Sequence, residues 1–378
     1  MKLLLIGPHG SIHIQRRMAF LFETGHQVFL ASPLMGKVFF FHEGNWDDRE
    51  RIVERYFRRH GSGLRCRRVL RYCFRGSLHQ LFFGIFYYRS QIRKIISRVR
   101  PAVINGHIAT SYAFWGSLGG FRPYVLTVWG SDILGYPKKS PIYSSIVRHV
   151  LKFSDYILTD GLNIVDEIKS FVPEERIKYI PFGINIKEKK GNDERDGEYI
   201  NILSARALEP IYQIDKIINL FHGVHDRKCR LIIANDGSKR KDLERLTAGL
   251  NLNERVRFTG RLEEKELADL YNRSDVFVAL PESDGTSVTL LEAMYYGLIP
   301  VLSDIDANRY WIRDGENGFL VDPDNGEQSV AKLNHVIDHL DELRNTVPAK
   351  NEKLIRDRGD FRKNMEREVR CMERAAGV

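Results

Sequence analysis

The sequence predicts an α/β protein of two domains, each a parallel sheet covered by helices. Three observations carry this. Residues 275–303, DVFVALPESDGTSVTLLEAMYYGLIPVLS, read as strand, loop, helix, strand, with strand-length apolar runs flanking a helix of about ten residues. The N-terminus has the same pattern: an apolar run at 2–7, the loop Pro8-His9-Gly10-Ser11, a helix, and a second apolar run at 27–31. Between these regions the segment KEKKGNDERDGE is polar and lacks apolar periodicity, which reads as an interdomain linker. A chain of 378 residues is long enough for two cores. The predicted division is 1–183, linker 184–198, 199–351, and a final helical segment 352–378.

In chain order, the first helix places Ile14, Met18 and Leu21 on one face and closes at Gly25-His26. No G-x-G-x-x-G follows the first strand, so no dinucleotide fingerprint is claimed. Apolar positions 81, 85, 88, 92, 95 and 99 fit a helix ending before Pro101. Strands are expected at 102–105, 124–128, 156–159 and 177–180. The second domain begins with a strand at 199–204 and continues at 230–234 and 255–258. Its central strand, 275–280, ends at Pro281. An acidic, Gly-containing loop, 282–286, then leads into a helix at 287–296, which Gly297 stops. A buried strand follows at 299–302. The charged segment 352–376 is expected to be helical.

A hydrophobic content of 43% and a charged content of 28% are those of a soluble globular protein. No run of eighteen apolar residues predicts a membrane-spanning helix, and MKLLLIGPHG reads as a first strand in preference to a signal peptide. Cysteines 66, 73, 229 and 371 have no metal-ligand spacing, a usage that fits a reducing cytosol. The net charge of +9 is unevenly placed, since residues 49–100 hold fifteen Lys or Arg against two Glu. Such a segment points to an anionic partner. An anionic membrane surface is expected through residues 49–75, where Tyr56, Phe57, Leu64, Tyr72 and Phe74 interleave with the cations. The alternatives are a solvated helix face or an oligomer contact. Nucleic acid is set aside because no recognition motif accompanies the charge. The expected location is cytoplasmic, peripheral at the inner face of the cell membrane.

The loop before the helix at 287–296 carries the chemistry. Backbone N–H groups at Gly285, Thr286, Ser287 and Val288 stand at a helix start without intrahelical acceptors. With the helix dipole they make an anion site suited to a diphosphate. Asp284 and Glu292 are eight residues apart, which puts Glu292 about one and a half turns into the helix. Two carboxylates beside a phosphate site suit the hydroxyls of a ribose or a sugar ring. Glu282 competes with Asp284 as the loop's acid, and a solvent-exposed helix carboxylate is the alternative for Glu292.

These residues resemble the acidic-x7-acidic motif of retaining glycosyltransferases with the GT-B fold, in the group called family 4. Its usual form is E-G-F-G-x-x-x-x-E-A-M-A-x-G-x-P-V. Here it runs Asp284-Gly285-Thr286-Ser287, then Glu292-Ala293-Met294, then Gly297 and Pro300-Val301. Downstream, RDGENGFLVDPDN resembles the family's D-G-x-N-G-x-L. Upstream, Ser11-Ile12-His13, followed by a helix and Gly25-His26-Gln27-Val28, is similar to the start of its acceptor-side domain. Pro181-Phe182-Gly183-Ile184-Asn185 resembles its P-x-G-[IV]-[DN], which ends that domain. Thr127 to Asp132 looks like T-x-H-G-x-D, with Trp129 where His is usual.

The resemblance implies two Rossmann-like domains facing a central cleft, with a final helix that packs back on the first. It implies transfer of a sugar from a nucleoside-diphosphate sugar, with retention of configuration, to a glycan or lipid-linked acceptor. No cofactor and no metal are expected; Asp304-Ile305-Asp306 spells D-x-D but falls in a loop after the motif helix. Arg206 matches the family's diphosphate-binding Arg. The Lys expected five residues later is absent, with Ile211 or Tyr212 in its place, and Lys239, Arg240 and Lys216 remain open as replacements. Asp284 is expected near the donor sugar and Glu292 on the ribose. His107 and Asp132 are expected at first-domain strand ends in the cleft, with Gly10 and His13 as acceptor contacts; a satisfied structural His is the alternative for His107, and a solvated helix-start His for His13. Two other readings stand beside this one: a GT-B-type sugar-nucleotide epimerase or phosphorylase, and a degenerate transferase that binds nucleotide sugar without turnover.

Overall fold

The computed structural model describes residues 1–34, 37–49, 51–52, 78–186, 197–226 and 228–378. Most of the basic run 49–75, with Cys66 and Cys73, lies outside the described residues, as does most of the expected linker. The chain divides into two compact units, Met1–Ile180 with Arg362–Val378, and Pro181–Phe361.

Among the described residues the first unit is built on seven strands: β1 (Lys2–Ile6), β2 (Gln27–Leu34), β3 (Lys37–His42), β4 (Val103–His107), β5 (Tyr124–Thr127), β6 (Tyr156–Thr159) and β7 (Ile177–Tyr179). Their order is β3-β2-β1-β4-β5-β6-β7. All neighbours pair in parallel except β2 and β3. β4 and β5 are buried along their whole length, which is why they read as continuous apolar runs. β3 was not expected from the sequence. Its alternation is hidden because both faces carry aromatics: Phe39 and Phe41 are buried, while Phe40 stacks on Phe29.

The first helix, Ile12–Glu23, starts where Ser11 Oγ accepts from the His13 N–H at 3.2 Å. Ile14, Met18 and Leu21 face the core. Arg17 on this helix forms a buried two-pronged pair with Glu368, Nη2 to Oε1 at 2.7 Å and Nε to Oε2 at 3.0 Å. Glu368 belongs to the last helix, Phe361–Ala376. Removing one partner of such a pair costs about 3–5 kcal/mol because the other is left charged and buried.

The expected single helix at 352–376 is two helices, Leu340–Arg358 and Phe361–Ala376. The break has a backbone cause. Ile184 N–H donates to Gly359 O at 2.7 Å, and Phe361 N–H donates to Ile184 O at 2.9 Å. These bonds draw the chain out of helical geometry at Gly359. Gly183 sits at φ +71°, and a Cβ there would lie 2.7 Å from Gly359 O, so only glycine fits.

Among the described residues the second unit has six parallel strands: β8 (Ile200–Ser204), β9 (Cys229–Ile233), β10 (Val256–Phe258), β11 (Val276–Ala279), β12 (Ile299–Ser303) and β13 (Phe319–Val321), in the order β10-β9-β8-β11-β12-β13. Alternate residues feed two cores. Ile202, Val278 and Val301 pack with the helix Ile214–His222 on one face. Leu203, Phe277 and Leu302 pack with the helix Val288–Tyr296 on the other. The D-G-x-N-G segment is a brace: Asn317 Nδ2 donates to Trp311 O and to Asn351 Oδ1, and its Oδ1 accepts from Arg313 N–H.

Candidate active site

In each sheet the strand order reverses direction once, between β1 and β4 in the first unit and between β8 and β11 in the second. Connections leave to opposite faces there, and the crevice beyond the strand ends is where ligands lodge in open α/β sheets.

In the second unit β8 delivers Arg206 and β11 delivers the acidic loop. Arg206 Nη2 donates to Asp284 Oδ2 at 2.7 Å, and its Nη1 donates to Ser287 Oγ and, at 3.4 Å, to Thr289 Oγ1. Arg206 is buried and Asp284 partly so. Ser287 is the N-cap of the helix Val288–Tyr296, its Oγ accepting from Leu290 N–H at 3.3 Å. The guanidinium is therefore held against the positive end of the helix by a carboxylate and two hydroxyls. Thr286 and Ser287 are buried, and Val288 opens the helix. The Gly285 amide differs from expectation: it donates to Asp284 Oδ1 at 3.0 Å, so it fixes the carboxylate.

Two tyrosines complete this site, in roles that no sequence motif marks. Tyr212, beside Ile211 where the family Lys is expected, lies under Arg206 with its ring centroid 4.2 Å from the guanidinium carbon. Tyr271 donates its hydroxyl to Glu292 Oε2 at 3.1 Å. Burial raises this phenol's pKa well above the usual value, and the Glu292 charge raises it further, so it remains a donor. Tyr271 stands on the helix Glu264–Asn272, and no motif marks it. The three candidate substitutes for the absent Lys pair elsewhere: Lys216 with Asp324, Lys239 with Asp242 and Arg240 with Glu244. Glu282 accepts from Gln213 Nε2 at 3.0 Å and is exposed. Asp304 and Asp306 both face Arg309.

The first unit's crevice is made of rings. His107 is the last residue of β4 and is wholly buried. Its Nδ1 accepts from Trp129 Nε1 at 3.3 Å, which leaves the proton on Nε2. That Nε2 is buried and has no hydrogen-bond partner among the described residues. Burial, then Arg17 and His13, push the His107 pKa well below the usual value. His13 stands edge-on to Trp129 at 5.3 Å between ring centroids. Burial, then Arg17 and Arg16, bring its pKa down to about 4. Both imidazoles are neutral near neutral pH.

Asp132 is engaged by backbone amides. Its Oδ2 accepts from Ala109 N–H at 2.7 Å and its Oδ1 from Trp129 N–H at 2.9 Å, with no exposed surface. It ties the turn after β4 to the turn after β5 and so positions Trp129 and His107. Burial lifts its pKa to about 6 against the opposing effect of the amides. Gly10 is exposed, and a Cβ there would touch nothing within 4 Å.

The match to known families fits this geometry. Residues 185–353 match the model of the glycosyl transferases group 1, and residues 71–161 match the glycosyl transferase 4-like model. Together the two matches span more than half of the chain. The chain belongs to the glycosyl transferases group 1 family, with the GT-B fold. Among relatives, the sulfoquinovosyl transferase SQD2 of Arabidopsis thaliana is 34% identical over 32% of this chain and 24% of its own. The N-acetyl-alpha-D-glucosaminyl L-malate synthase of Bacillus anthracis is 22% identical over 61% of this chain and 64% of its own. The chain thus spans less than two thirds of the length of either relative. The solved structure of Anabaena HepE in complex with UDP matches 99% of this chain and 100% of its own at TM-score 0.74 and 15% identity, a likeness of fold. Within this group 1 chain, Asp284 pairs with Arg206 and Glu292 lies on the helix that follows, whereas Lys216, Lys239 and Arg240 each pair with another acid.

Proposed function

We propose that this protein is a retaining glycosyltransferase that moves a sugar from a nucleoside-diphosphate sugar to a glycan or lipid-linked acceptor, in cell-surface polysaccharide or glycolipid assembly. The observation that carries the reading is Arg206, held by Asp284 and Ser287 at the start of the helix Val288–Tyr296. The anomeric C–O bond breaks, and negative charge grows on the departing diphosphate. A fixed guanidinium and the helix-start amides meet that charge without rearrangement, which is the largest contribution expected at such a site. Glu292 would accept from ribose hydroxyls and Asp284 from the donor sugar. Retention places the acceptor oxygen on the face the diphosphate leaves. The reaction in this reading needs no metal or other cofactor. UDP in the HepE complex supports a nucleotide donor. The run 49–75 supports attachment at the inner face of a membrane.

A degenerate, binding-only protein is the second reading, favoured by Ile211 or Tyr212 in place of the Lys and by Trp129 in place of the His. A panel of UDP-, GDP- and ADP-sugars, read by released nucleoside diphosphate, separates the two. Release from one donor, lost in Glu292→Ala, is the expected result. No release and no thermal stabilisation by any nucleotide would overturn the transferase reading, and binding without release would favour the degenerate one. Replacing Arg58, Arg59, Arg67, Arg68 and Arg71 together should weaken binding to anionic liposomes.

A further inference from the structure

Arg206 has five N–H groups to spend. Asp284, Ser287 and Thr289 take at most three of them, and the Nε–H has no hydrogen-bond partner among the described residues. The acid and the two hydroxyls hold the guanidinium by its edge. Its flat face lies on Tyr212, ring centroid to guanidinium carbon 4.2 Å. An edge grip alone lets the plane rock, and a ring beneath it does not.

Tyr212 is itself held in place. It ends a short 3-10 turn, Pro210–Tyr212, and its half-buried ring packs against the core cluster that includes Ile214 and Leu280. Just before the turn, Glu209 accepts from Ser238 N–H at 2.9 Å and from Ser238 Oγ at 2.6 Å. On the other side, Glu282 N–H donates to Ile211 O at 2.9 Å, and Gln213 Nε2 donates to Glu282 Oε1 at 3.0 Å. Gln213 closes the turn at φ +49°, in the left-handed region, which a residue other than glycine enters at a cost. The turn is thus tied to the loop after β9 and to the acidic loop after β11, the same loop that carries Asp284.

We propose that Tyr212 is a positioning residue for the donor diphosphate: its ring fixes the plane of Arg206, so that one oriented guanidinium serves where the family uses an Arg and a Lys. The inference rests on the transferase reading and adds a residue to it. Orientation counts here because a donor that is already aimed needs no rearrangement when charge grows on the leaving group. A Lys in the turn would add a charge, remove the ring and set two cations side by side.

The test is a double-mutant cycle on the full chain. It is read by nucleoside diphosphate release from the donor and by calorimetric affinity for UDP, GDP or ADP, whichever binds tightest. Tyr212→Leu should lower kcat roughly tenfold with little change in KM for the donor. It should also weaken the nucleoside diphosphate several-fold, because that product carries the charge that grows in the reaction. Tyr212→Phe keeps the ring and should keep most of both. In an Arg206→Ala background, Tyr212→Leu should cost nothing further, since the ring acts only through the guanidinium. Tyr212→Lys should fall as Tyr212→Leu does. A full additive loss in the double variant would overturn the proposal, and so would a Tyr212→Lys enzyme as fast as wild type or faster. A lower melting temperature in Tyr212→Leu with kcat and affinity unchanged would reduce Tyr212 to core packing and overturn it as well. A wild type that binds a nucleoside diphosphate without releasing one from any donor sinks the transferase reading alone, and the affinity cycle then decides the role of Tyr212. Binding of none ends both.

Discussion

The two crevices share a topology and differ in chemistry. Both lie where a parallel sheet reverses its winding, beyond β1 and β4 in one unit and beyond β8 and β11 in the other. In the second unit the crevice holds opposite charges, Arg206 beside Asp284, in a web of side-chain bonds. In the first it holds neutral rings, His107, His13 and Trp129, kept in place by a buried carboxylate that grips two backbone amides. The sheet decides where a site lies, and the loops decide what it can do. The units should therefore break differently. Damage in the second should cost chemistry first, and damage in the first should cost folding first.

The largest expected effect tests the first half of that statement. Arg206→Ala should slow nucleoside diphosphate release by about 10²–10³ while the melting temperature moves little, because Asp284 keeps solvent contact. Arg206→Lys should rescue little of the rate, since an ammonium cannot reproduce the planar fork that spans Asp284 and Ser287. A variant that unfolds instead would erase the contrast between the units. Asp132→Ala tests the other half. It leaves the Ala109 and Trp129 amides buried without acceptors, at about 1–3 kcal/mol each. The expected outcome is a melting temperature several degrees lower, with nucleotide affinity by calorimetry unchanged.

Titration sharpens the comparison further. The His13 pKa is about 4 when folded and 6.5 as a free group, so the unfolded chain binds more protons between those values. Stability from His13 is present above pH 6.5 and is lost as pH falls through 4. His107 acts in the same direction. Asp132 acts in the opposite one: raised from 3.8 to about 6, it gives stability present below pH 3.8 and lost as pH rises through 6. Two histidines oppose one acid, so unit one should weaken as pH falls from 6.5 toward 4. His13→Gln should make that decline shallower in thermal melts. An equally steep decline in the variant would mean that His13 does not carry its share.

Most of both sheets was legible in the sequence because buried parallel strands are unbroken apolar runs, as in β11 and β12. The break at Gly359 was not, because it is caused by a bond to Ile184 far away in the chain. β3 was not, because aromatics on both faces mask a period of two. In the candidate site, the meeting of Arg206 with the Asp284 loop was legible from the family resemblance and from their places at adjacent strand ends. The task of Asp132 was hidden, because a motif shows that a carboxylate is present and not which hydrogen bonds it accepts. Tyr212 and Tyr271 were hidden for a simpler reason. Their roles depend on helices brought alongside by the fold, and a tyrosine on a helix reads as core.

Tyr271→Phe is the smallest effect expected and the most discriminating. The Tyr271 hydroxyl gives Glu292 one fixed donor, and it lies 3.3 Å from Thr289 O. Water can replace that donor because Glu292 is only partly buried, so the stability cost should be about 0.5–1.5 kcal/mol. The functional cost follows from where Glu292 works. If it holds the ribose, away from the breaking bond, loosening it removes binding shared by ground state and transition state. KM for the donor should then rise a few-fold with kcat unchanged. A fall in kcat at constant KM would instead place Glu292 at the reacting centre, and the division of labour between the two acids, Asp284 at the sugar and Glu292 at the ribose, would have to be reversed.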